Sequence, residues 1–114
     1  MLKLTKTFSE LMTMMTSTGR AGQKRLSLNT YAILNKTTGC IEIRYYSHPI
    51  ITIKPNNSFT VSNHGWPISD VRELINAYTN LNITLKRGVW YYEGNLPFYN
   101  DMEITPKKEV QANA

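Results

Sequence analysis

Residues 29–63, NTYAILNKTTGCIEIRYYSHPIITIKPNNSFTVSN, carry the pattern that decides the fold. Apolar and polar side chains alternate through this stretch, which is the mark of strands with one buried and one solvated face. NTYAILNK and CIEIRYY flank a KTTG turn, where Gly39 supplies the left-handed backbone that a short hairpin connection needs. Ile41, Ile43 and Tyr45 then share one face, and Glu42, Arg44 and Tyr46 share the other. PIITIK and FTVSN make a second hairpin, turned by Asn56 and Asn57. Together the two predict a four-stranded meander.

On the N-terminal side the period changes from two to that of a helix. Thr7 and Glu10 have capping-box spacing, and Phe8, Leu11, Met12 and Met15 follow at i, i+3, i+4 and i+7. This predicts a short amphipathic helix from Thr7 to Thr16, ending near Gly19, whose methionine-bearing face suits the core or, as the alternative, an adaptable contact surface for a protein partner. The stretch GRAGQKRLSLN that follows has two glycines, three cations and no periodic pattern, and reads as a mobile basic loop.

Beyond residue 63 the helical period returns. Ser69 is placed as an N-cap, Asp70 suits the first turn, and Val71, Leu74, Ile75 and Tyr78 form one apolar face. Gly65 and Pro67 constrain Trp66, which is expected to be clamped between this helix and the sheet. NITLKRGVWYYEG predicts a third hairpin turned at Lys86, Arg87 and Gly88, with Val89 and Tyr91 facing one way and Trp90 and Tyr92 the other. NLPFYNDMEI reads as an ordered edge segment with Leu96, Phe98 and Ile104 packing back, and TPKKEVQANA as a frayed tail. The fold class is therefore α+β: a mostly antiparallel sheet of about six strands, in three hairpins, packed on one main helix near 69–80, preceded by a short N-terminal helix. Residues 1–28 form the helix and basic loop, 29–104 the α+β body and 105–114 the tail, within a single domain.

Composition agrees with one core and narrows the chemistry. At 114 residues, 41% hydrophobic and 18% charged, the chain is globular in class and too short for two ordinary domains. No run approaches the roughly 18 to 20 apolar residues of a membrane span, and Lys6, Ser9 and Glu10 interrupt any signal-like start. A soluble product that stays where it is made is expected. Cys40 stands alone, which excludes an internal disulfide or a cysteine-based zinc cluster. Only His48 and His64 are imidazoles, and no metal-ligand, paired-carboxylate or nucleotide-loop spacing occurs. Cys40 lacks a flanking motif that would lower its thiol pKa. No enzyme activity, metal or cofactor is expected.

The net charge of +5 is unevenly spread. Lys3, Lys6, Arg20, Lys24 and Arg25 face only Glu10 within residues 1–28, whereas the chain from residue 67 onward is slightly acidic. Such an asymmetry steers anionic partners towards the N-terminal part.

The run NTY at Asn29 to Tyr31, with YSHPIITIKPNNSFTVSNHGW, INAYTNLNITLKRGVWYY and PFYNDMEI, resembles a group of small uncharacterised proteins of tailed bacteriophages and related mobile elements. The resemblance covers roughly residues 29–104, and its most specific pieces are Gly65-Trp66, Ile75-Asn76, Gly88-Val89-Trp90 and Pro97-Phe98-Tyr99. The chain departs from the group at PISDVREL, where a Thr-rich basic helix start is the pattern, and at Asn100, where the pattern is Asp before Gly. The resemblance implies a phage origin and a compact fold, and transfers no functional residue.

Two binding functions follow as expectations. The first is a non-enzymatic, phage-encoded factor in the host cytoplasm that inhibits or redirects a host protein machine, such as a nucleic-acid-handling or defence complex. The second is a small basic protein that binds single-stranded nucleic acid by stacking strand aromatics on bases while Arg20, Lys24, Arg25, Arg44 and Lys54 neutralise phosphates. The partner-binding residues expected are Arg20, Lys24, Arg25, Arg44, Tyr46, Trp90 and Tyr92, because exposed aromatics and arginines dominate interface energetics. No membrane partner is expected.

Overall fold

The first helix, α1 (Phe8–Thr16), starts where the capping box lies. Thr7 N–H donates to Glu10 Oε1 at 2.8 Å, and Glu10 N–H donates to Thr7 Oγ1 at 3.1 Å. The structure, a computed structural model, describes residues 2–16, 22–65 and 68–105. The expected helix end near Gly19, Arg20 of the basic loop, the Trp66 clamp with Pro67, and the tail from residue 106 onward lie outside the described residues.

The expected mobile loop is corrected at its C-terminal half. Gln23–Ser27 is a strand, β1, that pairs antiparallel with β2 (Thr30–Asn35), setting Lys24 opposite Ala32 and Arg25 opposite Tyr31. An edge strand hydrogen-bonds one neighbour only and needs no apolar run. Cations and a register break, here between Arg25 and Ser27, are how edges avoid pairing with foreign strands.

Both hairpins of the central stretch form. β3 (Cys40–Tyr45) pairs with β2 and with β4 (His48–Ile53), which pairs with β5 (Phe59–Val61). The second helix, α2 (Ser69–Tyr78), follows, then β6 (Thr84–Lys86), β7 (Val89–Tyr92), β8 (Leu96–Pro97) and β9 (Met102–Ile104). β9 returns to β5, so the meander becomes a six-stranded antiparallel sheet in the order β1-β2-β3-β4-β5-β9. β6, β7 and β8 form a separate three-stranded sheet.

Register explains the core. Ala32, Ile43, Ile51, Val61 and Met102 form one line across the large sheet, and Leu34, Ile41, Ile53, Phe59 and Ile104 form the next. Nine of these ten side chains are buried, Leu34 being half-buried. Leu11 and Met15 of α1 and Val71, Leu74 and Ile75 of α2 join the same cluster. The N-terminal segment is laced to the end of α2: Thr5 N–H donates to the Tyr78 carbonyl and Asn80 N–H to the Lys3 carbonyl, each at 3.0 Å.

Two local readings shift, and one tie is new. Ser69 is the first helical residue and not the cap; Ile68 takes the extended cap conformation, with no side chain capping the helix. Asn76 closes a two-way hydrogen bond with Ile83, accepting from its N–H at 2.7 Å and donating to its carbonyl at 3.1 Å, which ties α2 to the segment before β6. Leu96 does not pack back: it is 42% exposed, while Met102 fills the inward position of β9.

Candidate functional site

The structure divides the expected partner-binding residues between two places. Arg25, Tyr31 and Arg44 lie opposite one another across β1, β2 and β3 on the outer face of the large sheet. Arg25 is exposed and its Nε donates to the Ser27 carbonyl at 3.4 Å. Arg44 is tied down: its Nε donates to Glu42 Oε1 at 2.8 Å, and Asn35 holds the other carboxylate oxygen at 3.1 Å. Lys54, counted among the phosphate-neutralising cations, is ion-paired with Glu103 at 2.7 Å. That hydrogen bond, then the Glu103 charge, holds the Lys54 ammonium above its ordinary pKa. Lys24 is half-buried.

Trp90 and Tyr92 belong to the small sheet, and Trp90 is corrected as a contact residue. It is 4% exposed and packs edge-on against Phe98, with ring centroids 5.2 Å apart. Of the two faces of the VWYY strand, the one bearing Trp90 turns inward. Tyr92 is half-buried and lines a cleft of about 500 Å³ with Glu93, Tyr99 and Glu103.

Tyr46 fares differently. It sits in the β3–β4 turn, 55% exposed, with φ of 58°, a left-handed conformation that is unusual for a bulky side chain. Its N–H donates to the Asn29 carbonyl at 2.7 Å, and Asn29 Nδ2 donates to its phenol oxygen at 3.1 Å. The β1–β2 and β3–β4 turns are thereby locked side by side at one end of the large sheet. Leu28, next to Asn29, is 72% exposed.

Beneath this rim lies a cleft of about 460 Å³ between the β1–β2 turn and α2. Leu26 and Leu28 line one wall; Asp70, Glu73, Leu74 and Tyr78 line the other, with Tyr45 beside them. Tyr45 donates its phenol proton to Asp70 Oδ2 at 2.9 Å. That bond, then burial, raises the Tyr45 pKa, and burial raises that of Tyr78.

The Cys40–His48 pair that a thiol nucleophile would draw on does not come together. Cys40 and Tyr45 begin and end β3, and His48 lies opposite Tyr45, so a strand length of about 17 Å separates Cys40 from that imidazole. The His48 and His64 rings lie 5.4 Å apart, and His64 Nε2 contacts the Pro49 carbonyl. Among the described residues no three His, Cys, Asp or Glu side chains gather as a metal would require. No described helix is long and apolar enough to cross a membrane.

Leu28, Asp70 and Glu73 were not among the expected site residues. The alternation of Leu26 and Leu28 with polar neighbours was a readable signal, but the helix wall comes from forty residues further along. Comparison with protein-family models, curated proteins and solved structures finds no match in any of the three.

Proposed function

We propose that this chain is a non-catalytic binding protein that grips a protein partner through the end of the large sheet, with Leu28 and Tyr46 as anchors. The observation that carries the reading is the hydrogen-bonded lock between the two turns, which holds an exposed aliphatic and an exposed aromatic side chain in place over a cleft. Preorganised anchors lose little side-chain entropy on binding, and a bulky residue kept in left-handed backbone is the kind of strain found at functional surfaces. α2, which buries Val71, Leu74 and Ile75, is in this reading the main helix on which the sheet packs and the fixed wall of the cleft. Resemblance of residues 29–104 to the phage group supports a host protein machine in the host cytoplasm as the setting.

A second reading, single-stranded nucleic-acid binding, draws on the Arg25–Tyr31–Arg44 row. Ion pairing of Arg44 and Lys54 and burial of Trp90 count against it.

Affinity capture from bacterial lysate, with and without nuclease, tests both. The protein reading expects a captured band that survives nuclease and disappears with a Leu28→Ser, Tyr46→Gly double variant. Glycine accepts the left-handed backbone at Tyr46 without strain, so the ring is removed and the turn kept. Capture abolished by nuclease and indifferent to the double variant would replace this reading with the second.

A further inference from the structure

Across the whole chain thirteen lysines and arginines outnumber eight aspartates and glutamates. The cleft beneath the Leu28–Tyr46 rim inverts that balance: it is lined by the carboxylates of Asp70 and Glu73 and by no lysine or arginine among the described residues. The two acids are three apart on α2, a spacing that puts them on one helix face. Asp70 is oriented by the Tyr45 phenol on Oδ2, and a carboxylate holding one donor keeps acceptor capacity for more. Leu26, Leu28, Leu74 and Tyr78 supply the larger apolar parts of the wall, surface suited to an aliphatic stem, with Ser27, Asn29 and Thr30 between them.

We infer that this cleft receives an arginine side chain carried on an apolar segment of the protein partner, an inference that rests on the protein-binding reading of the same face. Charge complementarity selects the occupant. A phosphate or an acidic peptide would meet two carboxylates with no lysine or arginine among the described lining residues, whereas a guanidinium would find planar acceptors at the exposed mouth of the cleft. The cleft lies within the size range of sites that enclose a side chain or small ligand. The second cleft is a poorer match, because Glu103 is already ion-paired with Lys54.

The test uses three fluorescein-labelled peptides of equal length, alternating leucine with arginine, with citrulline or with glutamate, and follows polarisation against the full chain. Citrulline keeps the shape of arginine and removes the charge. The arginine peptide should bind, the citrulline peptide should bind about tenfold more weakly or worse, and the glutamate peptide should not bind. Asp70→Asn keeps an acceptor for Tyr45, so Asp70→Asn with Glu73→Gln should stay folded, melting somewhat below the parent as the first turn of α2 loses its acids, and lose about tenfold in affinity for the arginine peptide. Glu73→Gln alone, at an exposed position, repeats the test without touching Tyr45. Equal binding of the arginine and citrulline peptides, or unchanged affinity in Glu73→Gln and in the folded double variant, would overturn the inference. If lysate capture still depends on Leu28 and Tyr46 in that event, the docking face stands and only its arginine occupant falls.

Discussion

The two sheets of this protein are stabilised in different ways. The large one has continuous cross-strand lines of aliphatic side chains, with Ile41, Ile43, Ile51 and Ile53 at zero exposure in its middle. The small one has strands of three, four and two residues and leaves Leu85, Val89 and Leu96 between 42% and 49% exposed. Of its strand residues Trp90 alone is buried, and its Nε1 has no hydrogen-bond partner among the described residues. An unpaired buried donor is costly, so the ring's apolar burial must outweigh that penalty. The difference is between a core built by register and a satellite with one buried strand residue, tied to α2 through the Asn76–Ile83 hydrogen bonds.

The comparison breaks most readily at the centre of the large sheet. Ile51→Ala should cost about 2 to 5 kcal/mol in denaturant unfolding and lower the stability of the whole chain. A variant with an unchanged midpoint would mean that the two lines of side chains are not the main source of stability. Trp90→Ala should act more locally, removing hydrogen-exchange protection from β6, β7 and β8 before that of β3 and β4. Trp90→Phe sharpens the contrast, because it deletes the orphan N–H while keeping a ring against Phe98. Relief of about 1 to 3 kcal/mol then offsets lost volume, and the melting temperature should stay close to that of the parent.

Smaller effects come from outside both sheets. Thr7→Ala should cost about 1 kcal/mol by undoing the capping box, read from the unfolding midpoint. The same box predicts an acid response. Hydrogen bonds from the Thr7 backbone and then its hydroxyl hold the Glu10 carboxyl below the ordinary glutamate range. A lowered folded value favours the charged form, so this contribution is complete above the ordinary value of about 4.3 and is lost as pH falls through the folded one. Thr7→Ala removes only the hydroxyl and keeps the backbone donor, so it should lose slightly less stability than the parent between neutral and acid pH. Smallest of all, Tyr46→Gly should leave the melting curve within about 0.5 kcal/mol of the parent while weakening capture. A large loss of stability would make Tyr46 a structural residue of the turn.

Legibility in the sequence followed the range of the interactions. The hairpins at 29–63 were readable because alternation and turn chemistry are local, and Gly39 and Asn57 take the positive φ that their turns require. The third hairpin was readable for the same reason, with Arg87 and Gly88 both left-handed in its two-residue turn. β1 was missed because QKRLS has no apolar run, and an edge strand needs none. β9 was anticipated as an ordered edge, but its partner β5 was not, since no local feature of MEI specifies which strand it joins. In VWYY every residue can be buried, so alternation separated Trp90 from Tyr91 without saying which one faces inward. At the candidate site, Tyr46 was identified by exposed aromatic character. Leu28 and the carboxylates of α2 were missed because only the fold brings a turn and a helix together around one cleft.

The return of β9 to β5 has a consequence in time. Phe59 pairs with Ile104 across 45 residues, whereas every other pairing of the large sheet joins neighbours in sequence. Closing so long a loop delays that contact, so the first five strands are expected to assemble ahead of the sixth. Until Met102 and Ile104 dock, β5 is an open edge that carries Phe59 and Val61, during synthesis on the ribosome as in refolding from denaturant. The yield of native protein then depends on how quickly three residues find their place relative to how often two unfinished chains meet.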